Sequence, residues 1–185
     1  MIDDIKKDAD HRMQSAIDAL QRELAGIRTG RASPALVERL HVDYYGASTP
    51  LNQLATISAP EPRMLVIQPW DRGSAQAIEK AIQKSDLGLT PNSDGQVIRL
   101  SIPQLTEERR KSLVRVARGK TEEGKVAIRN VRRDAVEHVK SLLKEKQIGE
   151  DDERRSHHEI DALTKRFTDE ADRLGQQKEA EILEV

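Results

Sequence analysis

The amino-acid sequence predicts an α+β protein of two domains, an elongated antiparallel three-helix bundle with a small α/β domain inserted into it. Three observations carry this expectation. All seven prolines (Pro34, Pro50, Pro60, Pro62, Pro69, Pro91 and Pro103) lie between positions 34 and 103. Proline inside a helix costs about 3 kcal/mol or more, so residues 1–33 and 104–185 are free to form long helices. Aliphatic residues recur at helical spacing on both sides of the proline-bearing part. Only four aromatics (Tyr44, Tyr45, Trp70, Phe167) occur in 185 residues, too few to anchor a sheet sandwich. The expected domains are residues 1–30 with 105–185 for the bundle and 31–104 for the insert.

Each element follows in order. Met13, Ile17, Leu20, Leu24 and Ile27 step by four and three, and Ile2, Ile5 and Ala9 extend the stripe backward. Gly30, with Ser33-Pro34 beyond it, is the expected stop. In the middle part, Leu40–Tyr45 alternates as a strand ended by Gly46, and Ala55–Ser58 and Met64–Ile67 are further strands. Ser74–Ser85 has the spacing of a short amphipathic helix through Ala75, Ile78, Ala81 and Ile82. Leu87–Gly95 is rich in turn residues, and Val97–Ile102 closes the domain as a strand.

The second long helix opens at Thr106, a polar cap followed by Glu107 and Glu108, which suit a helix N-terminus. Its inner stripe reads Leu113, Ala117, Thr121, Gly124, Ile128, Val131, Ala135, His138 and Leu142, with Gly149 as the stop. Asp151 and Asp152 can cap a third helix, whose stripe is Ile160, Leu163, Phe167, Ala171 and Leu174, then less regularly Lys178 and Ile182. Helices of about 28, 40 and 33 residues would be roughly 40–60 Å long. Two passages of chain join the domains, one near Gly30, Ala32, Ser33 and Pro34, the other near Pro103 and Gln104. A double connection of that kind permits hinge motion while limiting twist.

The net charge of −1 conceals opposite halves. Residues 1–30 carry −1 and residues 31–104 carry zero, whereas 13 basic and 7 acidic residues give 105–149 a charge of +6. Residues 150–185 carry −6, from 6 basic and 12 acidic residues. On a helical wheel Lys111, Arg115, Arg118, Lys125, Arg129, Arg132, Arg133 and Lys140 share an arc of about 100°, turned about 120° from the apolar stripe. One reading is a solvated face whose charges pair with the acidic third helix. The other is a phosphate-binding face, since that arc turns away from the stripe and such pairing can absorb only part of it. Arginine dominates its centre, Arg129-Asn-Val-Arg-Arg133, and the planar fork of arginine suits bidentate phosphate contacts. No aromatic lies in the basic segment, which favours recognition of folded RNA by backbone and shape over base stacking.

Catalytic signals are weak. Gly119-Lys120-Thr121 resembles the end of a phosphate loop, but position 114 is Val where that motif has Gly. His157-His158-Glu159 would need a histidine at 162 for zinc-protease spacing, and 162 is Ala. His11, His41 and His138 are scattered. The absence of Cys excludes disulfide scaffolds, thiolate zinc sites and cysteine nucleophiles. No carboxylate pair or nucleophile with a base stands out, so a binding protein without enzyme activity, cofactor or metal is expected. The N-terminal residues lack a signal-peptide core, and no stretch approaches the ~18 apolar residues of a membrane span. A soluble, cytoplasmic, monomeric protein without membrane contact is the expectation.

Several long motifs, in order, now bear on identity: Arg28-Thr-Gly-Arg-Ala-Ser-Pro34, Tyr44-Tyr-Gly46, Ser85-Asp-Leu-Gly-Leu-Thr-Pro-Asn-Ser-Asp-Gly95, Leu105-Thr-Glu-Glu-Arg-Arg-Lys111 and Val126-Ala-Ile-Arg-Asn-Val-Arg-Arg-Asp-Ala135. Through them the chain resembles the bacterial ribosome recycling factor family along essentially its whole length. The resemblance implies an L-shaped molecule. It also implies a role after termination with elongation factor G and GTP, separating the subunits of the 70S ribosome and freeing mRNA and deacylated tRNA. It implies that the bundle lies on large-subunit rRNA, with Arg129, Arg132 and Arg133 in the family's arginine-rich motif and Arg28 and Arg31 in the one at the joint. The wheel adds Lys125, Arg118 and Lys111 to that candidate surface. GTP hydrolysis would belong to the partner. Two rival classes remain on the residues alone: a general structured-RNA-binding or remodelling protein, and a helical protein-interaction scaffold.

Overall fold

The structure is a computed structural model that describes residues 1–184. Three long helices dominate it: α1 (Ile2–Ala25), α3 (Glu107–Lys144) and α4 (Glu150–Leu183), with a short α2 (Ala75–Lys84) between the first two. Six strands lie in the middle part: β1 (His41–Tyr44), β2 (Ala47–Pro50), β3 (Ala55–Glu61), β4 (Met64–Pro69), β5 (Pro91–Ser93) and β6 (Ile98–Ser101). The fold is thus the expected α+β type, a helical part with an inserted sheet part. The chain divides into two compact units, one of Met1–Leu24 with Val114–Glu181 and one of Ala25–Leu113 with residues 182–184.

In the first unit the stripes meet as the period requires. Ala9, Met13, Ile17, Leu20 and Leu24 of α1 are buried with Ala117, Ile128, Val131, Ala135 and Val139 of α3 and Ile160, Phe167, Ala171 and Leu174 of α4. Ion pairs between the helices give their directions. Arg12 pairs with Asp134 at 2.9 Å and Lys120 with Glu23 at 3.4 Å, so α1 and α3 run antiparallel. Lys6 pairs with Glu159 and Arg166 with Asp10, so α1 and α4 run parallel.

The stripes differ from expectation in detail. His138 is exposed and Val139 is buried in its place, since Val139 follows Ala135 by four residues and lies five turns beyond the buried Thr121 on the same face. On α4, Thr164 is buried and Leu163 only partly so. Thr164 Oγ1 donates to the Ile160 carbonyl at 2.8 Å, which satisfies the hydroxyl inside the core. Ser156 and Thr121 are buried on the same terms, donating to the carbonyls of Asp152 and Ala117.

Helix ends also move. α1 stops at Ala25, directly before Gly26, rather than near Gly30. α3 stops at Lys144 and not at Gly149. Gln147 N–H donates to the Leu142 carbonyl and Lys146 N–H to the Leu143 carbonyl, with Lys146 at φ +59. This is a Schellman cap with lysine in the left-handed position. Gly149 instead begins α4: its carbonyl accepts from Glu153 N–H, and its N–H donates back to Asp152 Oδ2.

The second unit holds a four-stranded antiparallel sheet in the order β3-β4-β6-β5 and a separate β1-β2 hairpin. Val42, Leu51, Leu65, Ile67, Ile98, Leu100 and Ile102 pack with Ile78 and Ile82 of α2 into one core. Two strands lie where none was expected. β2 is reached through Tyr45 at φ +49 and Gly46 at φ +86, the paired left-handed residues of a two-residue hairpin turn. β5 begins at Pro91 and sits at the sheet edge, where a missing N–H is tolerated. Tyr45, expected at the end of the first strand, lies in the turn after it, and both Tyr45 and Trp70 are exposed.

Candidate nucleic-acid interface

The basic face of α3 was legible as an arc, and α4 determines how its members are held. Three cations spaced seven apart, Arg118, Lys125 and Arg132, form the edge of the arc. Three acids on antiparallel α4 meet them in reverse order. Arg118 Nε donates to Glu179 Oε1 at 2.5 Å, Lys125 Nζ lies 3.0 Å from Asp172, and Arg132 Nε donates to Asp161 Oδ1 at 2.6 Å. Part of the basic face is therefore paired with the acidic helix, as one reading of the sequence held.

The pairing is unequal in what it consumes. Lys125 is left only 18% exposed at its side chain, with Glu122 also within 3.8 Å. Arg118 and Arg132 donate to these acids through Nε, and among the described residues their terminal amino groups enter no hydrogen bond. In arginine generally, such terminal groups are the fork suited to bidentate phosphate contacts. Arg129 spends one terminal amino group on Glu122 at 3.2 Å, and Arg133 donates one to Asn130 Oδ1 at 2.7 Å. Among the described residues Arg115, Arg133 and Lys140 take part in no ion pair. The Arg132 bond, followed by smaller charge effects of Arg132 and of His157 and His158, holds the Asp161 carboxyl below its ordinary value.

The remaining sequence candidates belong to the second compact unit. Lys111 lies 3.6 Å from Glu107 on its own helix, and Arg31 pairs with Glu184 at 3.2 Å. Arg28 Nη2 donates to the Pro103 carbonyl at 2.9 Å, while its Nε and that of Arg110 are buried without a partner. Burial, and then the charge of Arg109, push the Arg28 guanidinium below its ordinary value. Arg109 and Arg110 were not singled out from sequence, although they adjoin Lys111 in the same basic run. Of the joint residues, Gly30 takes φ +83, Ala32 N–H donates to the Pro62 carbonyl at 2.6 Å, and Ser33 caps a 3-10 turn at Pro34–Leu36.

Among the described residues no group of three His, Asp or Glu is placed to hold a metal ion, and no helix is long and apolar enough to cross a membrane. Three long helices, an inserted sheet domain and an arginine-rich helix face together define a two-part α+β protein. The ribosome recycling factor family model matches residues 20–183. The ribosome-recycling factors of Thermomicrobium roseum and Carboxydothermus hydrogenoformans are each 58% identical over 185 residues, covering all of both chains. A solution structure of a ribosome recycling factor aligns with a TM-score of 0.78 at 46% identity, covering 100% of this chain and 98% of that one. The T. thermophilus factor, described with E. coli elongation factor G bound to the E. coli post-termination complex, aligns at 0.69 and 49% identity over the whole of both chains. The chain belongs to the ribosome recycling factor family.

Proposed function

We propose that this chain disassembles the post-termination ribosome together with elongation factor G and GTP, splitting the subunits and releasing mRNA and deacylated tRNA. The reading is supported by family membership and by one feature of the molecule: the terminal amino groups of Arg118 and Arg132 on α3, which among the described residues enter no hydrogen bond. Those forks, with Arg129 and Arg133 between and beside them, bind phosphates of large-subunit rRNA. Arg28 and Arg31 add contacts from the second unit. GTP hydrolysis is the work of the partner, and this chain contributes binding energy. It shifts the ribosome between associated and split states only by the difference in its affinity for the two.

The passages around Gly30–Pro34 and Pro103–Gln104 act as a hinge, so the bundle stays anchored while the partner displaces the inserted domain. A subunit-splitting assay on purified post-termination complexes tests the reading. Splitting is expected with the chain, elongation factor G and GTP together. Intact 70S particles under those conditions would refute it. Equal binding to free structured RNA would mark a general RNA-binding protein instead, and salt-independent behaviour would mark a protein scaffold.

A further inference from the structure

The side of the guanidinium that Asp161 holds suggests a role for an acid within a basic surface. Arg132 could meet a carboxylate through its terminal fork, which would consume the phosphate-binding groups. It is held through Nε instead, at 2.6 Å. The second oxygen of Asp161 lies 3.3 Å from His157 Nδ1, one turn earlier on α4. The carboxylate thus sits between the Arg132 guanidinium of α3 and a neighbour on its own helix. We infer that Asp161 is a positioning residue for Arg132, orienting the guanidinium so that its terminal amino groups are presented to an rRNA phosphate. This inference rests on the rRNA-binding reading above. An unrestrained arginine must lose its rotamer freedom on binding, and a residue that removes that freedom beforehand tightens the complex.

Charge alone predicts the opposite sign. Deleting a carboxylate from a surface that meets a polyanion strengthens attraction. The two effects therefore separate in one experiment: sedimentation binding of the full chain to purified large ribosomal subunits at a fixed salt concentration. Asp161→Ala is expected to bind on the order of fivefold more weakly. Asp161→Asn, which keeps an acceptor oxygen toward Arg132, is expected to retain most of the affinity. In an Arg132→Ala background, Asp161→Ala is expected to cost nothing further, a coupling that a general loss of stability would not produce. Asp169, paired among the described residues with Lys165 alone on its own helix, serves as a charge control: Asp169→Ala is expected not to weaken binding. Unchanged or tighter binding by Asp161→Ala, with Arg132→Ala still weak, would overturn the positioning role alone. Unchanged binding by Arg132→Ala would overturn that role and the rRNA contact together.

Discussion

Gly175 of α4 lies against Thr121 of α3 so closely that a Cβ at position 175 would overlap Thr121 Oγ1. Thr121 is buried and its hydroxyl is committed to the Ala117 carbonyl at 2.9 Å, so it cannot swing away freely. Gly175→Ala is expected to destabilise the chain by about 1–3 kcal/mol, as overpacking does. Thermal denaturation of Gly175→Ala beside Thr121→Ala/Gly175→Ala checks this. The double variant removes the obstructing oxygen and is expected to recover part of the loss.

The cap of α3 offers a change in the other direction. Lys146 holds φ +59, a conformation that costs a side-chain-bearing residue about 1–2 kcal/mol. Lys146→Gly relieves it, at some cost in unfolded-state entropy, and is expected to stabilise by about 0.5–1 kcal/mol. The same denaturation experiment reads the gain. No gain, or a loss, would mean that the lysine side chain contributes more than its backbone strain.

Acid should loosen the β5–β6 hairpin within a defined window. N–H groups of Val97 and Gln96, then Arg99, hold the Asp94 carboxyl at about 2, below its ordinary 3.8. A lowered folded-state value means that the ionised group stabilises the turn above the ordinary value, and that this contribution disappears as pH falls from about 4 to about 2. Amide protection at Val97, followed by NMR through that range, is expected to fall with a midpoint near the lower end. Asp94→Asn is expected to abolish the pH dependence. A midpoint near 4 in the unchanged chain would show that these hydrogen bonds do not hold the carboxylate.

The proposed hinge separates binding from action. Proline at Ala32 would delete the N–H donated to Pro62, which confounds flexibility with lost structure. Gln104→Pro is the cleaner change, because among the described residues Gln104 N–H enters none of the backbone hydrogen bonds outside helices and strands. Splitting activity is expected to fall several-fold while ribosome affinity stays within about twofold. Equal losses in both would show that the connection serves only to hold the domains together.

Where the sequence was legible, the reason was periodicity over long proline-free stretches. The α1, α3 and α4 stripes and the basic arc of α3 are properties of one helix at a time. What escaped depends on neighbours. Thr164 lies on the buried face, four residues after Ile160 and three before Phe167, and its back-bonded hydroxyl keeps the cost of that burial small. β2 and β5 are short, polar and proline-bearing, and only their partners β1 and β6 make them strands. The α3–α4 ladder has a trace in sequence, since 118, 125 and 132 are seven apart and 172 and 179 repeat that spacing. Its register becomes visible only when α4 is laid antiparallel on α3, and with it the distinction between gripped and open arginines.

In the proposed function, open forks on α3 deliver this chain to ribosomal RNA. The most direct test compares the unchanged chain with Arg118→Ala/Arg132→Ala in subunit splitting, over a range of factor concentrations with elongation factor G and GTP. Each lost phosphate-binding arginine is expected to cost about 1–3 kcal/mol of affinity. The double variant should then fail at concentrations where the unchanged chain splits ribosomes, and should regain activity as its concentration rises. Splitting by the folded double variant at the same concentrations as the unchanged chain would contradict rRNA binding through these forks.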